Sequence, residues 1–163
     1  MTSIQHTRST MHGFTLIETM VAVAVMTISM TIAVPSYQQF IASQSIRTTS
    51  MDVVSSLILA RSEAVKRNGN VALVPISNDW KNGWQVVHVG SGTEVGHAEP
   101  MNGKVALQGA QPAMVQFNAD GRVVGAAATQ KLDLAVTNGA STMHRCIELD
   151  PAGLPRVKKA ACT

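Results

Sequence analysis

The side chains best able to do chemistry in this 163-residue chain lie in its last eighteen residues. Cys146 and Cys162 are its two cysteines, and Arg156, Lys158 and Lys159 lie between them. From position 151 to the end there is no acidic residue, so this segment carries a charge of +3, equal to the formal net charge of the whole chain. Such a cluster can bind the phosphates of a polyanion, although in an arbitrary protein it more often only keeps the surface solvated.

The residues before these cations predict a β-hairpin. Asp150-Pro151-Ala152-Gly153 has the residue types that a type I turn prefers, with proline second and glycine fourth. This turn would fold residues 154–157 back onto residues 146–149. In the register that it predicts, Leu149 faces Leu154 and Cys146 faces Val157.

The two cysteines can form a disulfide if this region is exported to an oxidising compartment. A bond between Cys146 and Cys162 requires the chain to turn back just before the second cysteine. It would close a loop of 17 residues and contribute about 3 kcal/mol in the chain-entropy treatment. Arg145 lies next to this loop, and the nearby Glu148 and Asp150 are expected to offset part of its charge.

An apolar stretch near the start of the chain is long enough to cross a membrane. Phe14–Val34 contains 21 residues, of which Glu18 alone is ionisable, and as a helix it would be about 31 Å long. A carboxylate in a bilayer costs about 2.5 to 3.5 kcal/mol on insertion scales. Glu18 therefore either has a partner or lies close enough to the helix start to reach the headgroups. Export of the cysteines places the N-terminus inside and the rest of the chain outside.

The residues around this stretch resemble a known signal. Gly13-Phe14-Thr15-Leu16-Ile17-Glu18 follows a polar leader and precedes an apolar run, and it is similar to the type III signal of type IV pilins and type II secretion pseudopilins. The resemblance implies that a prepilin peptidase cleaves after Gly13 and methylates the amino group of Phe14. It also implies that Glu18 pairs with the terminal amine of a neighbouring subunit in a filament.

The apolar stretch is expected to continue as one helix over Phe14–Arg67, about 80 Å long. Glu63 is spaced to pair with Lys66 and Arg67, and Asn68-Gly69-Asn70 is expected to end the helix. Apolar residues recur every three to four positions and predict a buried face. The first row of this face is Ile46, Val53, Leu57, Ala60 and Ala64, and the second row is Val54, Ile58 and Val65.

Beyond Asn70, short apolar or alternating runs separated by glycine, asparagine and proline predict a meander of antiparallel strands. The runs are Val71–Ile76, Trp84–Val89, Lys104–Leu107, Met114–Phe117, Arg122–Val124, Leu132–Val136 and Met143–Leu149. One face of this sheet could bury the second half of the helix, which predicts an α+β domain. The expected organisation is a leader at residues 1–13, a transmembrane or filament-core helix half at 14–35, and a globular domain at 36–163 that ends in the disulfide loop 146–162.

Residues 61–67 and 117–123 resemble the FimT/GspH branch of the pilin family, which implies the type IV pilin fold. FimT-like minor pilins implicated in natural transformation have a C-terminal Gly-Arg-x-Arg motif beside a disulfide, and they bind DNA there. The corresponding residues are Gly153-Leu154-Pro155-Arg156, followed by Lys158 and Lys159, so Leu154 replaces the first arginine of the motif. The resemblance implies a DNA site at Arg156, Lys158 and Lys159, with Arg145 nearby.

These observations predict a minor type IV pilin that binds DNA without sequence specificity during uptake in competence. The alternative is a structural minor pilin or a type II secretion pseudopilin that initiates or caps filament assembly without binding DNA. The expected partners are DNA, other major and minor pilins, the prepilin peptidase and the inner membrane before assembly. The chain would cross that membrane once, with a periplasmic globular domain that becomes extracellular in the assembled pilus.

The sequence does not favour an enzyme. His88, His97 and His144 lack metal-ligand spacing, and no HExxH, GxSxG or Walker pattern is present. We therefore expect no catalytic residue, no metal site and no cofactor.

Overall fold

The computed structural model describes residues 13–101, 103–125, 129–139 and 141–163, so the predicted leader residues 1–12 lie outside the described part. One α-helix and eight β-strands are found in these residues. They are α1 (Leu16–Lys66), β1 (Val71–Pro75), β2 (Trp84–His88), β3 (Glu94–Ala98), β4 (Val105–Gln108), β5 (Val115–Phe117), β6 (Gln130–Asn138), β7 (Ser141–Leu149) and β8 (Pro155–Lys158). Two short 3-10 turns, Ile76–Asn78 and Trp80–Asn82, connect β1 to β2.

Helix α1 begins and ends within two residues of the predicted positions. At its start, the hydroxyl of Thr15 accepts a hydrogen bond from the backbone N–H of Glu18 at 3.3 Å, which caps the first turn. At its end, Asn68 has a left-handed backbone with φ of 49°. The N–H of Gly69 then donates to the carbonyl of Ala64 at 3.1 Å, the hydrogen bond of a Schellman motif. Local signals therefore fix both ends of the helix.

The chain divides into two compact units, one ending at Tyr37 and the other beginning at Gln38. In the first unit every described residue is exposed, and α1 runs through Pro35 without interruption. The hydroxyl of Thr27 donates to the carbonyl of Val23 at 2.8 Å, so this polar group is satisfied without water. Among the described residues there is one helix, α1, and it is long and apolar enough to cross a membrane.

The second unit contains all of the buried side chains found in the described residues. The first apolar row of α1 is buried as predicted. It packs against apolar residues from the strands, among them Leu73, Phe117, Leu134 and Ile147. Because the complete core lies at residue 42 and beyond, residues 36–163 contain what they need to fold independently.

The strands form two four-stranded antiparallel sheets, so the predicted single meander is wrong. The first sheet has the order β3-β2-β1-β5, and the second has the order β4-β6-β7-β8. Strand β5 pairs with β1, and β4 pairs with β6, across intervening chain. Both sheets contribute to one core with α1, since Leu73 of the first sheet and Leu134 of the second lie in the same cluster as Leu57. The predicted α+β class, a long helix packed on antiparallel strands, is confirmed.

Two strand predictions differ from the structure. Residues 122–124 form only an isolated bridge between Val123 and Phe117, in which the N–H of Val124 donates to the carbonyl of Gln116 at 2.8 Å. The N–H of Val123 points away from β5 and donates to the carbonyl of Pro151 at 3.2 Å. Strand β3 was not predicted, because Glu94–Ala98 contains small and polar residues and has no apolar alternation.

The second apolar row of α1 is not buried, contrary to the prediction. Val54 is half-buried, whereas Ile58 and Val65 are each 53% exposed. The sheets cover the first row, and the second row lies further around the helix, where it borders surface grooves.

The predicted ion pairs at the end of α1 are present. Glu63 lies 2.6 Å from Arg67 Nε and 3.4 Å from Lys66 Nζ. The hydrogen bond from Arg67 is the main cause of the lowered pKa of Glu63. These pairs place cations at the helix C-terminus, where they also interact favourably with the helix dipole.

Candidate nucleic-acid interface

Strands β7 and β8 form the predicted C-terminal hairpin around the predicted turn. The N–H of Gly153 donates to the carbonyl of Asp150 at 2.9 Å, which closes the predicted four-residue turn. The N–H of Asp150 also donates to the carbonyl of Leu154 at 3.3 Å, and Gly153 has a φ of 81°. The connection is therefore a three-residue loop with a glycine bulge.

The bulge shifts β8 by one residue relative to the predicted register. The predicted register is therefore wrong. Cys146 faces Lys158 rather than Val157, and Leu149 faces Pro155. A one-residue shift moves each side chain of a strand to the other face of the sheet. Glycine after a type I turn is typical of such a bulge, so the sequence contained this signal.

The C-terminal tail is fixed to one face of the second sheet. Cys146 and Cys162 are disulfide-bonded with their Cα atoms 5.0 Å apart, which confirms the predicted pairing. The chain bends at Lys159 and Ala160, directly after β8, and this bend brings Cys162 to Cys146. The N–H of Cys162 donates to Asp133 Oδ2 at 3.2 Å, and Lys131 Nζ donates to the carbonyl of Thr163. The basic segment is thus held at both of its ends.

Arg156 and Lys158 lie on the face of the hairpin that this tail covers, which we call the outer face. Lys158 Nζ lies 2.7 Å from Glu148 Oε2, and its hydrogen bond is the main cause of the lowered pKa of Glu148. Arg156 is exposed and faces Glu148 across the strand pair. One carboxylate therefore offsets part of the charge of two cations on this face.

Arg145 and Lys159 lie on the opposite, inner face, which is directed towards α1. Arg145 pairs in register with the buried Leu134, and with Lys159 it lines a groove that also includes Arg47 of α1. Glu148 does not offset Arg145, because residues three apart on a strand point to opposite faces. That prediction is wrong, and Glu148 pairs with Lys158 instead.

We call this feature the basic groove. It has a volume of about 480 Å³ and consists of Arg47, Arg145 and Lys159 around a floor that includes Met51, Ile58 and Val157. No carboxylate from the described residues lines it. The sequence analysis missed Arg47, because that residue lies about 100 positions from Arg145 and only the packing of α1 brings the two together.

The residues predicted for processing and assembly lie at the start of the described chain. Gly13 and Phe14 are exposed and precede α1, and Glu18 is exposed in its first turn. Their predicted roles in cleavage, methylation and subunit pairing stay predictions.

Within the described ranges, no group of three or more histidine, cysteine or acidic side chains could hold a metal ion. His97 instead contacts Glu94 at 3.2 Å, and His144 contacts Asp133 at 3.3 Å.

Two protein-family profiles match the chain. The profile described as type II transport protein GspH matches residues 49–153, which is more than half of the chain. The profile described as prokaryotic N-terminal methylation motif matches residues 8–34. The first match ends before Arg156, so the cations of β8 lie outside it.

The fold is similar to that of the type IV minor pilin FimU of Pseudomonas aeruginosa strain PAO1, solved in two crystal forms. The first form is 18% identical with a TM-score of 0.55, and the match covers 74% of this chain and 92% of FimU. The second form is also 18% identical, with a TM-score of 0.54, and the match covers 72% of this chain and 97% of FimU. At this identity the similarity shows the fold alone, and it confirms the predicted type IV pilin fold. No curated protein sequence matches the chain.

Proposed function

The chain belongs to the GspH family of pilin-like proteins, and from this premise we propose that its C-terminal segment binds DNA without sequence specificity during DNA uptake. The family and the fold are those of structural filament subunits, which interact with other pilins. One observation carries the DNA proposal: the Cys146–Cys162 disulfide fixes Arg156, Lys158 and Lys159 in a segment without a carboxylate of its own.

Fixing these cations in advance favours binding. A side chain or loop that is ordered before it meets its ligand loses less conformational entropy on binding. The disulfide and the hydrogen bonds of the tail already hold this segment. Its cations can therefore contact phosphates at a lower ordering cost than those of a free terminus.

The position of β8 allows cations from both faces to contact one strand of DNA. Strand β8 is at the edge of the second sheet. Arg156 and Lys158 approach this edge from the outer face, and Lys159 approaches it from the inner face, where Arg145 lies on the neighbouring strand. A phosphate backbone that follows the edge could contact all four of the predicted DNA-binding residues.

The chemistry of the site predicts weak, salt-dependent binding without base recognition. Three or four phosphate contacts give a slope of log affinity against log salt of about −3 to −4 for duplex DNA. No aromatic side chain is present from residue 118 to the end of the chain, so the segment provides no stacking platform. Several copies along a filament would raise the overall avidity.

The same proposal includes processing and location. We propose cleavage after Gly13, methylation of Phe14 by a prepilin peptidase, and pairing of Glu18 with the terminal amine of a neighbouring subunit. The match of residues 8–34 to the N-terminal methylation motif supports this step. Before assembly the apolar part of α1 would lie in the inner membrane with the second unit in the periplasm, and assembly would make that unit extracellular.

Fluorescence anisotropy of a labelled duplex with residues 36–163 tests the DNA proposal. At about 50 mM salt, where phosphate contacts are strongest, the wild-type fragment should bind. Replacement of Arg156, Lys158 and Lys159 by glutamine should abolish this binding.

A matched control removes three other cations by substituting Lys81, Lys104 and Arg122 with glutamine, and it should retain most of the affinity. Equal losses in both triple variants would show a general charge effect and contradict the proposed site. A wild-type fragment that leaves the duplex unbound would support the alternative, a filament subunit that does not bind DNA.

A further inference from the structure

A groove between α1 and residues 97–101 lies apart from the predicted DNA-binding residues, none of which lines it. We call it the polar groove. It has a volume of about 590 Å³, and Trp84 of β2 lies between its two walls. On the α1 side its lining extends from Ile41 to Ser56, which is about 22 Å along the helix. The polar groove is therefore long enough for an extended ligand.

The side chains of the polar groove are rich in hydrogen-bonding groups and carry negative charge. Amide and hydroxyl groups come from α1, at Gln44, Thr48, Ser55 and Ser56. The two walls contribute one carboxylate each, Asp52 and Glu99, and both residues are exposed. No lysine or arginine from the described residues lines the groove. An anionic ligand would therefore be repelled, whereas a neutral or cationic one would not.

The indole of Trp84 is a hydrogen-bond donor without a partner in this groove. Trp84 and Val86 are both buried and share the face of β2 that packs in the core with α1. Trp84 is only 2% exposed, and its Nε1 has no hydrogen-bond partner. A buried donor without an acceptor costs free energy, and such donors are rare in proteins. An acceptor oxygen of a ligand in the groove would satisfy it.

The hydroxyl of Thr49 is a second buried group of this kind. Thr49 is 7% exposed and lines the groove, and no hydrogen bond of its side chain is found among the described residues. The hydroxyls of Ser55 and Ser56, by contrast, donate to the backbone carbonyl of Asp52 at 2.9 and 2.8 Å. Their oxygens can therefore still accept a hydrogen bond from a ligand. The groove requires a ligand that donates and accepts at several points along its length.

We propose that the polar groove binds a neutral oligosaccharide. Each sugar hydroxyl both donates and accepts, so a short chain of sugars can donate to Asp52 and Glu99 and accept from the indole N–H of Trp84. A basic peptide would also suit the carboxylates, but peptide recognition uses pockets for side chains, and the α1 wall presents mainly hydroxyl and amide groups. This inference goes beyond DNA binding and does not depend on it.

NMR of ¹⁵N-labelled residues 36–163 tests this site, because the chain has two tryptophans and each gives one indole N–H resonance. The probes are neutral tetrasaccharides of glucose, galactose and mannose, added to millimolar concentration. Binding should shift the indole proton of Trp84 downfield, since this N–H acquires an acceptor. The indole N–H of Trp80 already donates to the carbonyl of Pro112 at 3.0 Å, so its resonance should move less.

Two substitutions connect the binding to this groove. Asp52→Asn keeps the size of the side chain but removes its charge, and it should weaken sugar binding about tenfold, because hydrogen bonds to charged groups are the stronger ones. Thr49→Val keeps the shape and should weaken binding about threefold. It should leave the stability of the fragment nearly unchanged, because the hydroxyl has no protein partner to lose. The control, Asp120→Asn, removes the same charge outside the groove and should bind like the wild type.

The proposal is overturned if none of the three tetrasaccharides moves the Trp84 indole resonance, or if Asp52→Asn and Asp120→Asn bind equally well. Tetralysine tests the other occupant, and a shift of the Trp84 resonance with tetralysine but not with the sugars would overturn the proposal in favour of basic peptides. Tetragalacturonate, which carries a carboxylate on each sugar, should leave the resonance in place, and a shift as large as with the neutral sugars would contradict the charge argument. None of these results affects the DNA experiment, which uses other residues.

Discussion

The outer and inner faces of the β7–β8 hairpin each carry two of the predicted DNA-binding cations, but different groups surround them. On the outer face, Glu148 pairs with Lys158 and faces Arg156. On the inner face, a third cation from α1 joins Arg145 and Lys159. The comparison teaches that strand alternation, rather than the charge of the segment as a whole, decides which cations are neutralised.

Both faces depend on the same two supports. The Cys146–Cys162 disulfide holds the tail, and the Gly153 bulge sets the register that assigns each side chain to its face. Changes to these supports should affect both faces, whereas a change at Glu148 should remove the difference between them.

Loss of the disulfide should have the largest effect. Replacing both cysteines with alanine in residues 36–163 should lower the free energy of unfolding by about 3 kcal/mol, because the unfolded chain regains the entropy of a 17-residue loop. Urea denaturation measures this change, and the wild-type fragment under reducing conditions should show a similar loss. Unchanged stability in both samples would show that the bond does not support the hairpin.

Gly153→Ala should be the next most damaging change. Gly153 has a φ of 81°, and an added Cβ would lie 2.3 Å from the carbonyl oxygen of Gly121. The control is Gly92→Ala, where φ is 66° and nothing lies within 4 Å of the new Cβ. The control should lose about 1 kcal/mol from backbone strain alone, and Gly153→Ala should lose at least about 2 kcal/mol. Equal losses in urea denaturation would contradict the close approach of the turn to residue 121.

Glu148→Gln should make the two faces alike. Without its carboxylate partner, Lys158 would contact a phosphate more readily than in the wild type, so DNA affinity should rise and the salt slope should become steeper by up to about 0.9. Asp120→Asn removes the same charge elsewhere and should leave the slope unchanged. Anisotropy titrations over a range of salt concentrations measure both quantities, and identical slopes in the two variants would argue against this role of Glu148.

The smallest effect should come from pH. The hydrogen bond from Lys158 lowers the pKa of Glu148 from its usual 4.5. The pair therefore contributes fully to the stability of the fold above pH 4.5, and it loses this contribution as the pH falls through the lowered pKa. The difference in unfolding free energy between wild type and Glu148→Gln should stay constant from pH 7 to about 5 and shrink below pH 4.5. Urea denaturation at each pH measures it, and a difference that shrinks above pH 5 would contradict the lowered pKa.

The accuracy of the sequence predictions follows the range of the interactions involved. Thr15 and Asn68 fix the ends of α1 through contacts within one turn, so both ends could be predicted. The pairing of β5 with β1 and of β4 with β6 depends on packing across the chain and could not.

The candidate site shows the same division. The cysteines and cations were visible in the sequence, and the alternation of Arg145 with Ile147 and Leu149 would have placed Arg145 on the inner face. The register required recognition of the bulge at Gly153. Arg47 could not be assigned to the groove, because only the docking of α1 on the sheets brings it there.

An NMR titration of ¹⁵N-labelled residues 36–163 with a short duplex tests the proposed DNA site most directly. Binding through the hairpin predicts that amide resonances of residues 156–159 and of Arg145 move as DNA is added, and that they return when salt is raised. Resonances that move elsewhere while those of residues 151–163 stay in place would contradict the proposal.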